Sequence, residues 1–204
     1  CSEVAGRWLF GNEDYDAGKV VIVHNAISME RYLFSADHRA IVRSAFGWGN
    51  RFVVGHVGRF DPQKNHEGLL DIFKEILKKR PDAVLALLGS RGGQYENILE
   101  RVKSENLEDK VFFLGKRTDI GAFLYAMDVF LFPSLYEGLP FALVEAQANG
   151  LTCVISDTIS REVNVIPGQL KPLSLGTSPE KWAETVVRAG KRPRVGKEEI
   201  YQGL

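Results

Sequence analysis

Two glutamates, Glu137 and Glu145, and two cations, Arg59 and Lys64, are the residues whose types and settings could do chemistry together. The glutamates lie in the stretch at residues 132–149. A short apolar run at 129–132 ends at Pro133, a polar turn follows, and from Glu137-Gly138-Leu139-Pro140 onward the pattern becomes helical. Proline suits the first turn of a helix, where its missing N–H has no partner to lose. Such a turn directs free N–H groups and the positive end of the helix dipole at whatever lies in front, which makes an anion site suited to phosphate. Carboxylates beside a phosphate would repel it, so Glu137 and Glu145 should reach past it to hydroxyl groups. A ligand with a diphosphate in the middle and a sugar at each end fits this layout. Arg59 and Lys64, in the loop after an earlier apolar strand, could bracket the diphosphate as a fork and a point charge. From pattern alone, the cations could also be solvated loop charges. Glu137 could be a plain loop residue, and Glu145 a solvent-facing helical one. Against the last reading, its neighbours Leu143, Val144, Ala146 and Ala148 are apolar or small, and a buried carboxylate needs partners.

The elements that must position these residues follow from periodicity. Apolar runs at 51–57, 83–88, 111–114, 129–132 and 152–156 read as strands, with weaker ones at 20–23, 163–166 and 171–173. Helical spacing predicts helices near 1–11, 36–46, 65–80 (N-cap Asn65), 94–106, 119–126 (cap Asp119), 140–149 and from Ser178 or Pro179 with Trp182, Val186 and Val187 inward. His24-Asn25-Ala26-Ile27 reads as a turn, and residues after Gly190 as a basic, polar tail. Strands that are apolar throughout are buried on both faces, and their alternation with helices of about ten to fifteen residues predicts right-handed βαβ units. The fold class is therefore α/β, a Rossmann-like doubly wound parallel sheet. Ligands bind such sheets beyond the carboxyl ends of the strands, where loops 58–64, 89–93, 115–118, 133–139 and 156–161 should gather.

Composition narrows the function. The 204 residues carry 26 basic and 26 acidic side chains, so nothing favours nucleic acid or an anionic membrane, and phosphate binding must come from a few placed charges. Cys1 and Cys153 offer no disulfide framework or zinc spacing, and Cys153 reads as a buried, inert thiol. A reducing cytoplasm is the simplest compartment. No apolar run approaches a membrane span and no signal peptide is visible. Gly89-Ser90-Arg91-Gly92-Gly93 lacks the dinucleotide fingerprint, so its glycines serve either close approach to a ligand or a tight turn. The four histidines are scattered, with His56 reading as a packed strand residue, and no metal-ligand spacing appears.

Four motifs in order carry a resemblance. Val57-Gly58-Arg59-Phe60-x-x-Gln63-Lys64-Asn65, then Leu114-Gly115, then residues 128–140 with Phe132-Pro133-Ser134-x-Tyr136-Glu137-Gly138-Leu139-Pro140, then Glu145-Ala146-x-Ala148-x-Gly150, look like the C-terminal domain of retaining GT-B glycosyltransferases of family 4. Seven residues separate Glu137 from Glu145, which is that family's signature spacing. The likeness covers residues 20 to 190 and is greatest to bacterial capsule or exopolysaccharide transferases.

The resemblance implies a division of labour. Arg59, Lys64 and Glu137 would form the catalytic group: the cations hold the donor diphosphate, and Glu137 hydrogen-bonds the transferred sugar. Gly58, Gly89, Lys116, Arg117, Gly138, Leu139, Pro140, Phe141 and Glu145 would bind the donor, with backbone near Lys116 and Arg117 meeting the base and Glu145 the ribose. The donor would be a nucleotide-sugar, UDP favoured over GDP, with no cofactor and no metal required. It also implies three segments: residues 1–50 as the tail of an N-terminal domain and a linker, 51–190 as the nucleotide-sugar domain, and 191–204 as a C-terminal tail. The acceptor, a glycan or lipid-linked sugar, would be held by an N-terminal domain, and the parent could lie peripherally at the inner face of the membrane. Thr158-Ile159-Ser160 replaces the family's usual glycine pair, and His24-Asn25-Ala26 a commoner Pro-Asn-Gly. Rival readings are a GT-B epimerase, a phosphorylase (which would want a pyridoxal lysine), or a regulatory nucleotide-binding module (which would want acidic strand ends).

Overall fold

The computed structural model describes residues 2–23 and 26–203. The expected turn at His24 and Asn25, and Cys1, lie outside the described residues. In chain order the elements are α1 Glu3–Phe10, α2 Asn12–Asp16, α3 Ala36–Ala45, β1 Val53–Val57, α4 His66–Lys79, β2 Val84–Leu88, α5 Tyr95–Ser104, β3 Val111–Gly115, α6 Ile120–Ala126, β4 Val129–Phe132, α7 Phe141–Ala148, β5 Cys153–Ser156, β6 Leu170–Leu173, α8 Pro179–Ala189 and α9 Lys197–Gly203.

The strands form one six-stranded sheet in the order β3-β2-β1-β4-β5-β6, every pairing parallel. The expected doubly wound α/β sheet is thus met, with buried runs such as Val84–Leu88 explaining why the strands do not alternate. Alternate side chains enter two cores. One, with Val54, Leu85, Leu131 and Val154, is closed by α4, α5 and α8; the other, with Val53, Val84, Phe130 and Cys153, is closed by α6 and α7. The chain winds outward from β1 in both directions, so the order reverses between β1 and β4. That is the switch point at which an open α/β sheet offers a crevice.

Several expectations need correction. Residues 20–23 form no strand: Val21 and Val23 are exposed at 82% and 74%, and a β-branched run without a neighbour to pair or a core to enter has nothing to hold it extended. Residues 163–166 are not a strand either, because a short 3-10 turn, Arg161–Val163, takes in the first of them and the Gln147 side chain accepts from the Val165 and Ile166 amides. Asp119 stands at the start of α6 without capping it, since its carboxylate pairs with Arg117. Pro140 is the N-cap of α7 and lies just outside the helix. Helix α1 forms, capped by Ser2, but its apolar Val4, Trp8 and Leu9 are exposed. Helices α2 and α9 appear where polar composition gave no helical signal.

Candidate functional site

The loops following β1 and β4 meet at the switch point, and the two chains are zipped together there. Leu135 N donates to Gln63 O at 2.8 Å, Gln63 Nε2 to Tyr136 O at 2.9 Å, and Asn65 Nδ2 to Pro133 O at 3.0 Å. Asn65 also caps α4, accepting from Gly68 N at 3.2 Å, from a left-handed backbone with φ 54° that asparagine tolerates better than most residues. The third crest loop joins on the other side, where the hydroxyls of Ser156 and Thr158 donate to Ser134 O.

Across this seam Lys64 Nζ donates to Glu137 Oε1 at 2.5 Å, and both side chains are largely buried, 17% and 7% exposed. The ammonium also lies 4.9 Å from the centre of the Phe132 ring, close enough for the ring's face to attract it. Sequence reasoning sent Lys64 to a diphosphate and Glu137 to sugar hydroxyls; the structure joins them directly. Arg59 behaves differently. Its side chain is 64% exposed and pairs with Asp61 of its own loop at 3.3 Å, leaving the guanidinium in solvent at the mouth of the crest.

Helix α7 begins behind Glu137. Its N-terminus carries no side-chain cap, unlike those of α1, α3, α4 and α8, so its first amides remain available to a ligand. Gly138 and Leu139 are half-buried, Pro140 is buried and Phe141 is exposed. Glu145 sits further along α7 and has a partner that sequence spacing did not reveal: Tyr32 Oη donates to Glu145 Oε1 at 2.7 Å. Burial pushes the Glu145 carboxyl up, against the opposing pull of that hydrogen bond. The Tyr32 phenol is pushed up to about 12 by burial and then by the adjoining carboxylate.

The neighbouring crest is made of backbone in close contact. Gly58 N donates to Leu88 O at 2.8 Å, Phe60 N to Ser90 O at 3.2 Å, and Gly89 N to Gly115 O at 2.9 Å. A Cβ on Gly89 would lie 1.9 Å from Gly58 O, and one on Gly92 would lie 2.4 Å from Phe60 O. The glycine-rich turn is therefore shaped by the approach of loop 58–61. Lys116 is exposed, without an ion pair among the described residues, and Arg117 is held by Asp119 and lies over the Phe123 ring.

Beneath the loop lies a pair of rings the sequence left apart. His56 and His66 meet edge to face with centroids 4.9 Å apart, His56 stacks on Phe132, and His66 stacks on Phe60. His56 Nδ1 lies 3.0 Å from Leu131 O, so that nitrogen carries the hydrogen. Burial holds both rings below the usual histidine range, His66 at about 4, with the Lys64 charge adding to it. His56 is a packed strand residue, as expected. Cys153 is buried with its thiol pushed up, which removes it from thiolate chemistry. Among the described residues no group of three or more His, Cys, Asp or Glu side chains is placed to hold a metal ion.

Residues 38–192 match the family described as Glycosyl transferases group 1. EpsF of Bacillus subtilis (strain 168), named as a glycosyltransferase, is 39% identical over 207 residues, covering 100% of this chain and 53% of its own length. A UDP-Gal:alpha-D-GlcNAc-diphosphoundecaprenol alpha-1,3-galactosyltransferase of Escherichia coli is 34% identical over 147 residues, covering 70% of this chain and 38% of its own. The chain therefore spans about half or less of these relatives. Among solved structures, Anabaena HepE in complex with UDP and glucose superposes with a TM-score of 0.73 at 22% identity, covering 84% of this chain and 47% of that one, a likeness of fold. The C-terminal domain of a group 1 protein from Francisella tularensis, LpcC, superposes with a TM-score of 0.64 at 16% identity, covering 86% of this chain and 91% of that domain. The ordered motifs, the crevice between β1 and β4 and these matches agree: this chain belongs to the glycosyl transferases group 1 family.

Proposed function

We propose that the chain is the C-terminal, donor-binding half of a retaining GT-B glycosyltransferase that moves a hexose from a nucleoside diphosphate sugar to a cell-surface glycan such as a capsule or exopolysaccharide. The observation carrying this reading is the buried Lys64–Glu137 pair at the switch point, set before the uncapped N-terminus of α7. A diphosphate entering there competes with Glu137 for the Lys64 ammonium and adds the α7 amides and the Arg59 guanidinium. Those groups stabilise the negative charge that grows on the leaving nucleoside diphosphate as the glycosidic bond breaks. Glu137, partly released from Lys64, is then free to accept hydrogen bonds from the sugar. Glu145 takes the ribose. The relatives named for exopolysaccharide and diphosphoundecaprenol-linked synthesis, and the fold shared with UDP-bound HepE, support the substrate class. The acceptor belongs to the part of the enzyme outside this chain, so this chain alone binds donor and does not transfer sugar.

Calorimetry with uridine and guanosine diphosphates tests the reading. The expected result is binding of at least one, weakened about tenfold or more by Lys64→Ala and by Arg59→Ala, each a charge-assisted contact. Urea midpoints identify any loss that is only unfolding. Undiminished affinity in a folded Lys64→Ala variant rules the assignment out.

A further inference from the structure

The two carboxylates, Glu137 in the loop before α7 and Glu145 on the helix, are held differently. Glu137 is engaged by a cation of the loop after β1; among the described residues Glu145 is engaged only by a neutral hydroxyl, Tyr32 Oη, from a segment 113 positions earlier. Nothing in the sequence motifs includes Tyr32.

Its placement is anchored at several points. The Tyr32 carbonyl accepts from Asn149 Nδ2, and Asn149 stands four residues beyond Glu145, on the same face of the α7 turn. Asn149 is held in turn by Arg194, which also donates to the carbonyls of Leu124, Tyr125 and Met127. The residue before, Arg31, has its carbonyl bound by Tyr125 Oη at 3.0 Å. On its far side α7 is fixed by Gln147, whose amide donates to Leu143 O and Val163 O. The Tyr32 ring is thus set against α7 by main-chain and side-chain bonds, and its hydroxyl has one acceptor, Glu145 Oε1. The second oxygen, Oε2, has no hydrogen-bond partner among the described residues and is not sealed from solvent.

We infer that Tyr32 is a positioning residue for nucleotide recognition: by occupying Oε1 it fixes the rotamer of Glu145, so that Oε2 faces the ribose hydroxyls and lets the site tell a ribonucleotide from a deoxynucleotide. The inference rests on the donor-site reading above and deepens it. A glutamate side chain free to rotate loses entropy on gripping a diol; one already held does not, and that difference appears only with ligands that have the hydroxyls. Tyr32 touches no ligand in this scheme and acts through Glu145.

The experiment compares uridine and guanosine diphosphates with the forms of each that lack both ribose hydroxyls, titrated calorimetrically into the wild type, Tyr32→Phe and Glu145→Gln. The wild type is expected to favour the ribonucleotide by about tenfold or more, the usual value of a hydrogen bond to a charged group. Tyr32→Phe keeps the ring and its packing, so its affinity for the dideoxy ligand stays within about twofold while the ribose preference falls severalfold toward that of Glu145→Gln. A general structural fault would weaken both ligands alike and leave the ratio intact. If Glu145→Gln loses the preference and Tyr32→Phe keeps it, the Tyr32 role is overturned and the donor site stands. If the wild type shows no ribose preference, or binds neither nucleotide at millimolar concentration, the inference falls; the second result removes the donor-site reading as well.

Discussion

Replacing Gly89 by alanine tests whether the crest is built by backbone contact. The added Cβ would sit 1.9 Å from Gly58 O, 2.6 Å from Gly58 C and 3.3 Å from Arg59 N, all main-chain atoms that cannot swing aside like a side-chain tip. Reaching ordinary van der Waals separation requires the two loops to part by about 1.5 Å. That movement breaks the bonds Gly58 N–Leu88 O and Phe60 N–Ser90 O. Overpacking costs about 1–3 kcal/mol and each lost hydrogen bond about 1 kcal/mol, partly the same energy counted twice, so a destabilisation of about 2–4 kcal/mol is expected. Arg59 and Lys64 ride on the displaced loop, and a shift of about 1 Å in a positioned group weakens ligand engagement by about tenfold to a hundredfold. Gly93→Ala is the control, because no atom lies within 4 Å of its added Cβ and its backbone is not left-handed. It should change the free energy of unfolding in urea by no more than about 0.5 kcal/mol. Urea unfolding and nucleotide calorimetry on the two variants decide the matter. A Gly89→Ala protein as stable and as tightly binding as Gly93→Ala would refute the idea that contact between the loops shapes the site.

Other outcomes follow from neighbouring contacts. Asn65→Ala removes the α4 cap and the tie to Pro133, and places alanine in a left-handed backbone; a loss of about 2 kcal/mol in urea unfolding is expected, and a change under about 0.5 kcal/mol would count against the seam. His66 is held neutral in the fold, protonating near 4 against 6.5 when unfolded, so it contributes stability above pH 6.5 that is lost as pH falls toward 4. The loss is on the order of 3 kcal/mol at most, with buried His56 acting in the same direction, and His66→Phe should flatten the slope of stability between pH 6.5 and 4.

The sheet was legible because its strands are apolar on both faces, a pattern few other elements produce. Residues 20–23 have the same composition and fail as a strand, which shows that composition proposes a strand and a paired neighbour makes one. The 163–166 segment fails for a different reason: its apolar residues Val163 and Ile166 are buried, yet the Val163 and Asn164 amides close a 3-10 turn on Ser160 O and Arg161 O, and those of Val165 and Ile166 bond to one glutamine side chain, a partner no local pattern announces. Helix α9 buries only Ile200, too little for periodicity to register.

At the site, the residue types were legible and their pairings were not. Lys64 and Glu137 are 73 positions apart, and Tyr32 and Glu145 113 apart. What brings the first pair together is the strand order, because only a sheet that places β4 beside β1 faces one loop with the other. The consequence is electrostatic. Before a ligand arrives, the largely buried ammonium of Lys64 is already neutralised by Glu137, which avoids the cost of leaving a desolvated cation unpaired. Among the described residues the exposed Arg59 has no such internal competitor beyond the partly exposed Asp61, so under the proposed donor-binding role a diphosphate would meet Arg59 first and take Lys64 from Glu137 afterwards. On that proposal the expected outcome is that Arg59→Ala lowers the rate of nucleotide capture and its ionic-strength dependence, while Lys64→Ala changes how fully Glu137 is released to the sugar.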